Sequence, residues 1–162
     1  MDRLFRTGGA GGVHGAGVMP RPRAPSRGEA VVILDVDQFA QIRARHGVHA
    51  GEAVTRAVAE CLRRDLRTDD RLALLRDEEF LVVLAGTCEA CLPGIERRLR
   101  EGVQALRLAL AGAVWTLSCT TGGAARGEAS RSLEGLVRAA DGALHLAKRA
   151  PGRCVSGGRW PG

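Results

Sequence analysis

The stretch RLALLRDEEFLVVLAG, residues 71–86, decides the fold. Two apolar runs flank four consecutive charged residues, Arg76, Asp77, Glu78 and Glu79, and this pattern predicts a β-hairpin over residues 71–85 with carboxylates at its tip. Forty-one to forty-three residues before Glu78 a second strand, VVILDVD, ends in another carboxylate pair, Asp35 and Asp37. Two acidic strand ends set side by side supply the hard oxygen donors with which a polymerase-like palm holds divalent metal.

Outward from the hairpin, residues 30–36 read as a buried strand and 38–45 as a short helix. Residues 46–66 place Ala50, Ala53, Val54, Ala57, Val58, Cys61 and Leu62 on one helical face. Thr87 is expected to cap a helix running to about Leu106, with Leu92, Ile95, Leu99, Val103 and Leu106 inward. A strand follows over 112–120, then a helix from Leu133 to about Lys148 that buries Leu136, Val137, Ala140, Leu144 and Ala147, and an edge strand from Arg153 to Ser156. This order predicts an α/β (α+β) sandwich: one central, mostly antiparallel sheet of about five strands flanked by helices. Residues 1–28, rich in Gly, Pro and Arg, read as a flexible tail, residues 29–157 as the domain and 158–162 as a short second tail.

Composition excludes several functions. The formal charge of +6 is concentrated in residues 1–28, which hold five Arg and one acid, so the remaining 19 bases face 17 acids. With no Tyr, three Phe and two Trp, a base-stacking nucleic-acid surface is not expected. Only Lys148 is a lysine, which reads as compositional bias and not as a binding signature. Five cysteines, an odd number scattered along helices and strands, suit a reducing compartment, and no apolar run is long enough to span a bilayer or serve as a signal core. The expectation is a cytoplasmic protein with no membrane span. Cys88 and Cys91 form a CxxC without a second ligand pair at zinc spacing, and are expected as half-buried packing residues. His14, His46, His49 and His145 form no spaced cluster and read as surface or capping residues.

DVDQFAQIRARHGVHAGEAV, then LLRDEEF, WTLSCTTGG and ADGALHLAKRAPGR resemble, in order and distance, the bacterial GGDEF family of diguanylate cyclases, from about residue 30 to residue 155. The resemblance implies a palm-like fold in which two domains, each holding one GTP and two metal ions, condense the nucleotides into cyclic di-GMP. It places Mg²⁺ or Mn²⁺ on Asp35, the carbonyl of Val36 and Glu78, with Glu79 beside them as the other catalytic acid. It also marks departures. Arg76 and Asp77 stand where the family has two glycines that let phosphates approach the backbone. Arg43 replaces a base-reading Asn and can donate hydrogen bonds but accept none. Glu52 replaces an Asp, and Ala40 a lysine whose phosphate contact contributes about 1.5–3 kcal/mol. Lys148 is kept, and Pro151 shifts Arg153 out of register.

Arg67-Thr68-Asp69-Asp70 matches the family's RxxD motif, which binds cyclic di-GMP as product inhibitor, and Arg98 falls where the family often adds a second guanine-binding Arg. The Arg fork suits guanine O6 and N7 or phosphate, and the Asp accepts from N1 and N2. Residues 1–28 stand where the family usually has a helix bearing DxLTGLxNR, of which Asp2-Arg3-Leu4 is at most a remnant, and no sensor, receiver or phosphodiesterase segment is read. The leading expectation is a catalytically degenerate domain that binds cyclic di-GMP as a receptor. The alternatives are a slow cyclase that uses GTP as a homodimer, and a non-catalytic scaffold for a homodimer or a signalling-protein partner.

Overall fold

In the computed structural model, residues 29–110, 112–126 and 132–149 are described. The central strand β1 (Glu29–Val36) is apolar at nearly every position because both its faces are covered. Ala30, Val32, Leu34 and Val36 point to one core and Val31 and Ile33 to the other. Strand β2 (Arg71–Arg76) pairs with β3 (Glu79–Ala85), β3 with β1, and β1 with β6 (Cys119–Ala125), giving the antiparallel order β2-β3-β1-β6. The hairpin and the mixed antiparallel architecture are therefore as read from the sequence. The main sheet has four strands among the described residues; the expected edge strand over 153–156 and both tails lie outside them.

Helices α1 (Phe39–His46) and α2 (Val48–Asp65) are separated only by Gly47, whose φ of 84° is a left-handed value that suits glycine. Their buried side chains, with Leu99 and Val103 of α3 (Leu92–Ala105), fill the larger core against one face of the sheet. Helix α4 (Leu133–Arg149) covers the other face with Leu136, Ala140 and Leu144.

Four expectations are corrected. The strand expected over 112–120 is divided into β5 (Ala113–Trp115), which pairs with β4 (Leu108–Leu110) in a separate ribbon, and β6, which continues through Gly122 and Gly123. Glycines usually punctuate strands, but these two sit in the middle of β6 because a helix approaches closely on each face. A Cβ on Gly122 would lie 2.1 Å from the Leu144 nitrogen, and one on Gly123 would lie 2.9 Å from Leu92 Cδ2. Second, Thr87 caps no helix: it is buried, a 3₁₀ turn spans Glu89–Cys91, and α3 begins at Leu92 with Pro93 in its first turn. Third, Cys88 and Cys91 are exposed and are not packing residues. His46 is likewise half-buried rather than a surface group, its ring edge-on to Trp115 with centroids 4.7 Å apart.

Candidate functional site

The antiparallel register places Asp35, near the end of β1, opposite Glu79, the first residue of β3. One residue on, the Val36 N–H donates to the Glu78 carbonyl at 3.0 Å, so Asp35, Val36, Glu78 and Glu79 meet at one end of the sheet. Lys148, in the last turn of α4, reaches the same end, with Nζ 2.7 Å from Asp35 Oδ2. Asp37 turns to a structural task instead. Its N–H donates to the Ser118 carbonyl at 3.0 Å and its Oδ1 accepts from the Thr120 hydroxyl at 2.8 Å.

Glu79 is the acid whose environment is most unusual. Burial pushes its carboxyl above the ordinary value of 4.5; Arg76 opposes the shift from 3.6 Å, Asp35 and Asp141 add to it, and Lys148 opposes it. Burial outweighs the long, solvent-exposed Arg76 pairing. A carboxyl raised in the folded state contributes stability that is fully present below its unfolded pKa and is lost as pH rises through the folded one. Glu79→Gln is therefore expected to raise the melting temperature at pH 7, with the gap to wild type closing as pH falls toward 4.5 and staying closed below it. Thermal melts of the two proteins across that range check it, and a gap that widens on acidification contradicts it.

The hairpin tip is closed by an ion pair. Arg43 Nη1 on α1 lies 2.7 Å from Asp77 Oδ2, and the Thr55 hydroxyl on α2 donates to the Asp77 carbonyl at 2.5 Å. Thr55, which no pattern in the sequence singled out, thus ties the tip to α2. Arg76 points into solvent, 79% exposed. Glu52 lies one helical turn before Arg56 on the exposed side of α2, with its Oε2 3.3 Å from His49 Nδ1.

These residues open on a groove of about 800 Å³ between α2 and β2. Arg43, Glu52 and Asp77 line it, and so do Arg67 and Asp70. The sequence treats the base-reading set and the RxxD set as separate places, yet the structure joins them along one surface. Asp70 is firmly held there: Oδ2 accepts from the Arg67 N–H at 2.9 Å and Oδ1 from the Ala85 N–H at 3.0 Å, fastening the turn to the end of β3. Arg98 is exposed on α3 and does not line the groove.

The carboxylates of Asp35 and Glu78 and the carbonyl of Val36 are hard oxygen donors of the kind Mg²⁺ or Mn²⁺ takes, so the donor set fits such an ion. Lys148 already supplies a positive charge to Asp35. No group of three or more His, Cys, Asp or Glu side chains converges for metal among the described residues. Among those residues, too, no helix is long and apolar enough to cross a membrane.

Residues 21–154 match the family described as "Diguanylate cyclase, GGDEF domain". Diguanylate cyclase DgcP of Pseudomonas aeruginosa is 33% identical over 120 residues, covering 74% of this chain and 18% of DgcP. Diguanylate cyclase DosC of Escherichia coli is 29% identical over 120 residues, covering 74% of this chain and 26% of DosC. The chain thus spans about a quarter or less of these relatives' length. Among solved structures, the GGDEF domain of YfiN (TpbB) from Pseudomonas aeruginosa superposes with a TM-score of 0.70 at 33% identity, covering 76% of this chain and 77% of that one. The GGDEF domain of DgcB from Caulobacter crescentus, solved with c-di-GMP, shares the fold with a TM-score of 0.70 at 22% identity, covering 75% of this chain and 72% of that one.

Proposed function

The chain belongs to the GGDEF family, and from that premise we propose that its domain binds cyclic di-GMP as a receptor and is not an efficient cyclase. The observation that carries this reading is the Arg43–Asp77 ion pair. It spans the position where the family resemblance puts the substrate base on one side and its phosphates on the other. A triphosphate entering there meets the Asp77 carboxylate and must displace Arg43 from it, and Arg76 adds a Cβ where close backbone approach is needed.

Arg67 is differently placed. It is among the residues lining the open groove, while Asp70 holds its backbone through a carboxylate-to-amide bond. A guanine presented edge-on would find a forked donor in Arg67 and remaining acceptor lone pairs on Asp70. Arg98 belongs to the proposal as a second guanine contact from α3, outside the groove.

Calorimetric titration with cyclic di-GMP is expected to show micromolar binding or tighter, weakened about tenfold or more by Arg67→Ala, since a charged hydrogen bond contributes about 1.5–3 kcal/mol. Absence of binding by the wild type, or equal binding by Arg67→Ala, overturns the receptor reading.

A second reading, a slow diguanylate cyclase, is favoured by one observation: the backbone pairing of β1 with β3 sets Asp35, Glu78 and Glu79 at the same end of the sheet, with Lys148 beside Asp35. Under that reading a bound divalent ion would stabilise charge on transferring phosphates. Asp35, Val36 and Glu78 would hold it, and Lys148 would pair with phosphate.

A further inference from the structure

Cys88 and Cys91 take no part in the groove or in the acidic end of the sheet, yet they are exposed on the surface between β3 and α3. We propose that they form a reversible dithiol–disulfide site that exchanges with low-molecular-weight disulfides, Cys88 attacking and Cys91 resolving. The backbone already brings the two together. The Cys91 N–H donates to the Cys88 carbonyl at 3.1 Å, closing a turn over residues 88–91. Such a turn holds its end Cα atoms within about 7 Å, close to the roughly 4.4–6.8 Å that a disulfide spans.

The closeness of the two thiols makes the pair asymmetric. The Cys91 side chain lowers the Cys88 pKa and Cys88 raises that of Cys91, while Arg67 nearby tempers the rise at Cys91. An attacking thiolate beside a protonated partner is the arrangement that thiol–disulfide exchange uses. Cys61 and Cys119 offer the opposite environment. Both are buried, burial raises both thiols, and Cys119 is pushed up to about 12.

The exchange balances in two steps. The Cys88 thiolate attacks one sulfur of RS–SR, forming a mixed disulfide and releasing one RS⁻. Cys91 then loses its proton and attacks the Cys88 sulfur, closing the Cys88–Cys91 bond and releasing the second RS⁻. The protein gives up two protons and two electrons, and the small disulfide becomes two RSH.

Trypsin cleaves after Arg76 and Arg97, so residues 77–97 form one peptide that carries Cys88 and Cys91 and none of the other cysteines. The full chain is equilibrated with reduced and oxidised glutathione in varied ratio, trapped with iodoacetamide and read by mass spectrometry. The expected result is a peptide that loses two hydrogens as the ratio becomes oxidising and regains them on reduction. Cys91→Ser should instead accumulate a single glutathione on Cys88. In the reduced chain at pH 7, Cys88 should be alkylated about tenfold faster than Cys91. Two glutathiones on the wild-type peptide, a dithiol that persists when the glutathione is mostly oxidised, or equal alkylation rates overturn the proposal. None of these readouts depends on nucleotide binding.

Discussion

Gly122→Ala is expected to destabilise the domain by about 3 kcal/mol or more, the upper end of what overpacking a tight contact costs. The added Cβ would sit 2.1 Å from the Leu144 nitrogen and 2.4 Å from the Ala140 carbonyl oxygen, both backbone atoms of α4. No rotamer change relieves a collision with backbone. The helix must move off the sheet, and with it Leu136, Ala140 and Leu144 lose their fit against Val31, Ile33 and Leu81. A stability of about 5–15 kcal/mol, the range of ordinary domains, leaves little to spare. Gly142→Ala supplies the control. It lies on the exposed side of the same helix with open space around it, so the extra methyl should add about 0.5–1 kcal/mol by removing backbone freedom from the unfolded chain. Urea titration of both variants decides the matter: a Gly122→Ala midpoint indistinguishable from wild type would mean that α4 is not seated on β6 at this point.

The second large effect concerns catalysis. Incubated with GTP and Mg²⁺ or Mn²⁺, the chain is expected to form cyclic di-GMP at least about a hundredfold more slowly than its own Arg43→Asn/Arg76→Gly/Asp77→Gly variant. A hundredfold corresponds to about 2.7 kcal/mol of barrier, the size expected when one carboxylate is removed from the path of a phosphate and one blocked base contact is restored. Within wild type the Asp77 charge is partly answered by Arg43 at 2.7 Å, so the obstacle is the pair as a unit more than either charge alone. Product chromatography with Glu78→Ala as the blank measures both rates. Equal rates would show that the tip is not the obstacle and would strengthen the cyclase reading.

The strands legible in the sequence are those whose pattern has a single physical reading. β1 is apolar because it is buried on both faces, and the hairpin shows its turn as a charged break between apolar runs. Where two physical effects share one signature, the reading went astray. Gly122 and Gly123 look like a strand end but mark helix approach. The cysteines at 88 and 91 look like packing residues by composition, although their turn lies on the surface. The acidic end of the sheet was legible because β1 ends, and β3 begins, at the point where an apolar run gives way to carboxylates. The joining of Arg43, Glu52 and Asp77 with Arg67 and Asp70 was not, because it depends on how α2 lies along β2, which no local pattern encodes.

The Arg43–Asp77 pair also bears on descent. Each residue answers the other across thirty-four positions of chain. Under the proposed reading, Asp77→Gly alone would leave an unpartnered arginine where the base would lie, and Arg43→Asn alone an unanswered carboxylate where the phosphates would lie. Neither single step restores a working cradle, so selection for turnover gains nothing from the first of them. If the tip is what bars turnover, the ion pair acts as a ratchet: a domain holding both residues gains nothing from exchanging either one alone.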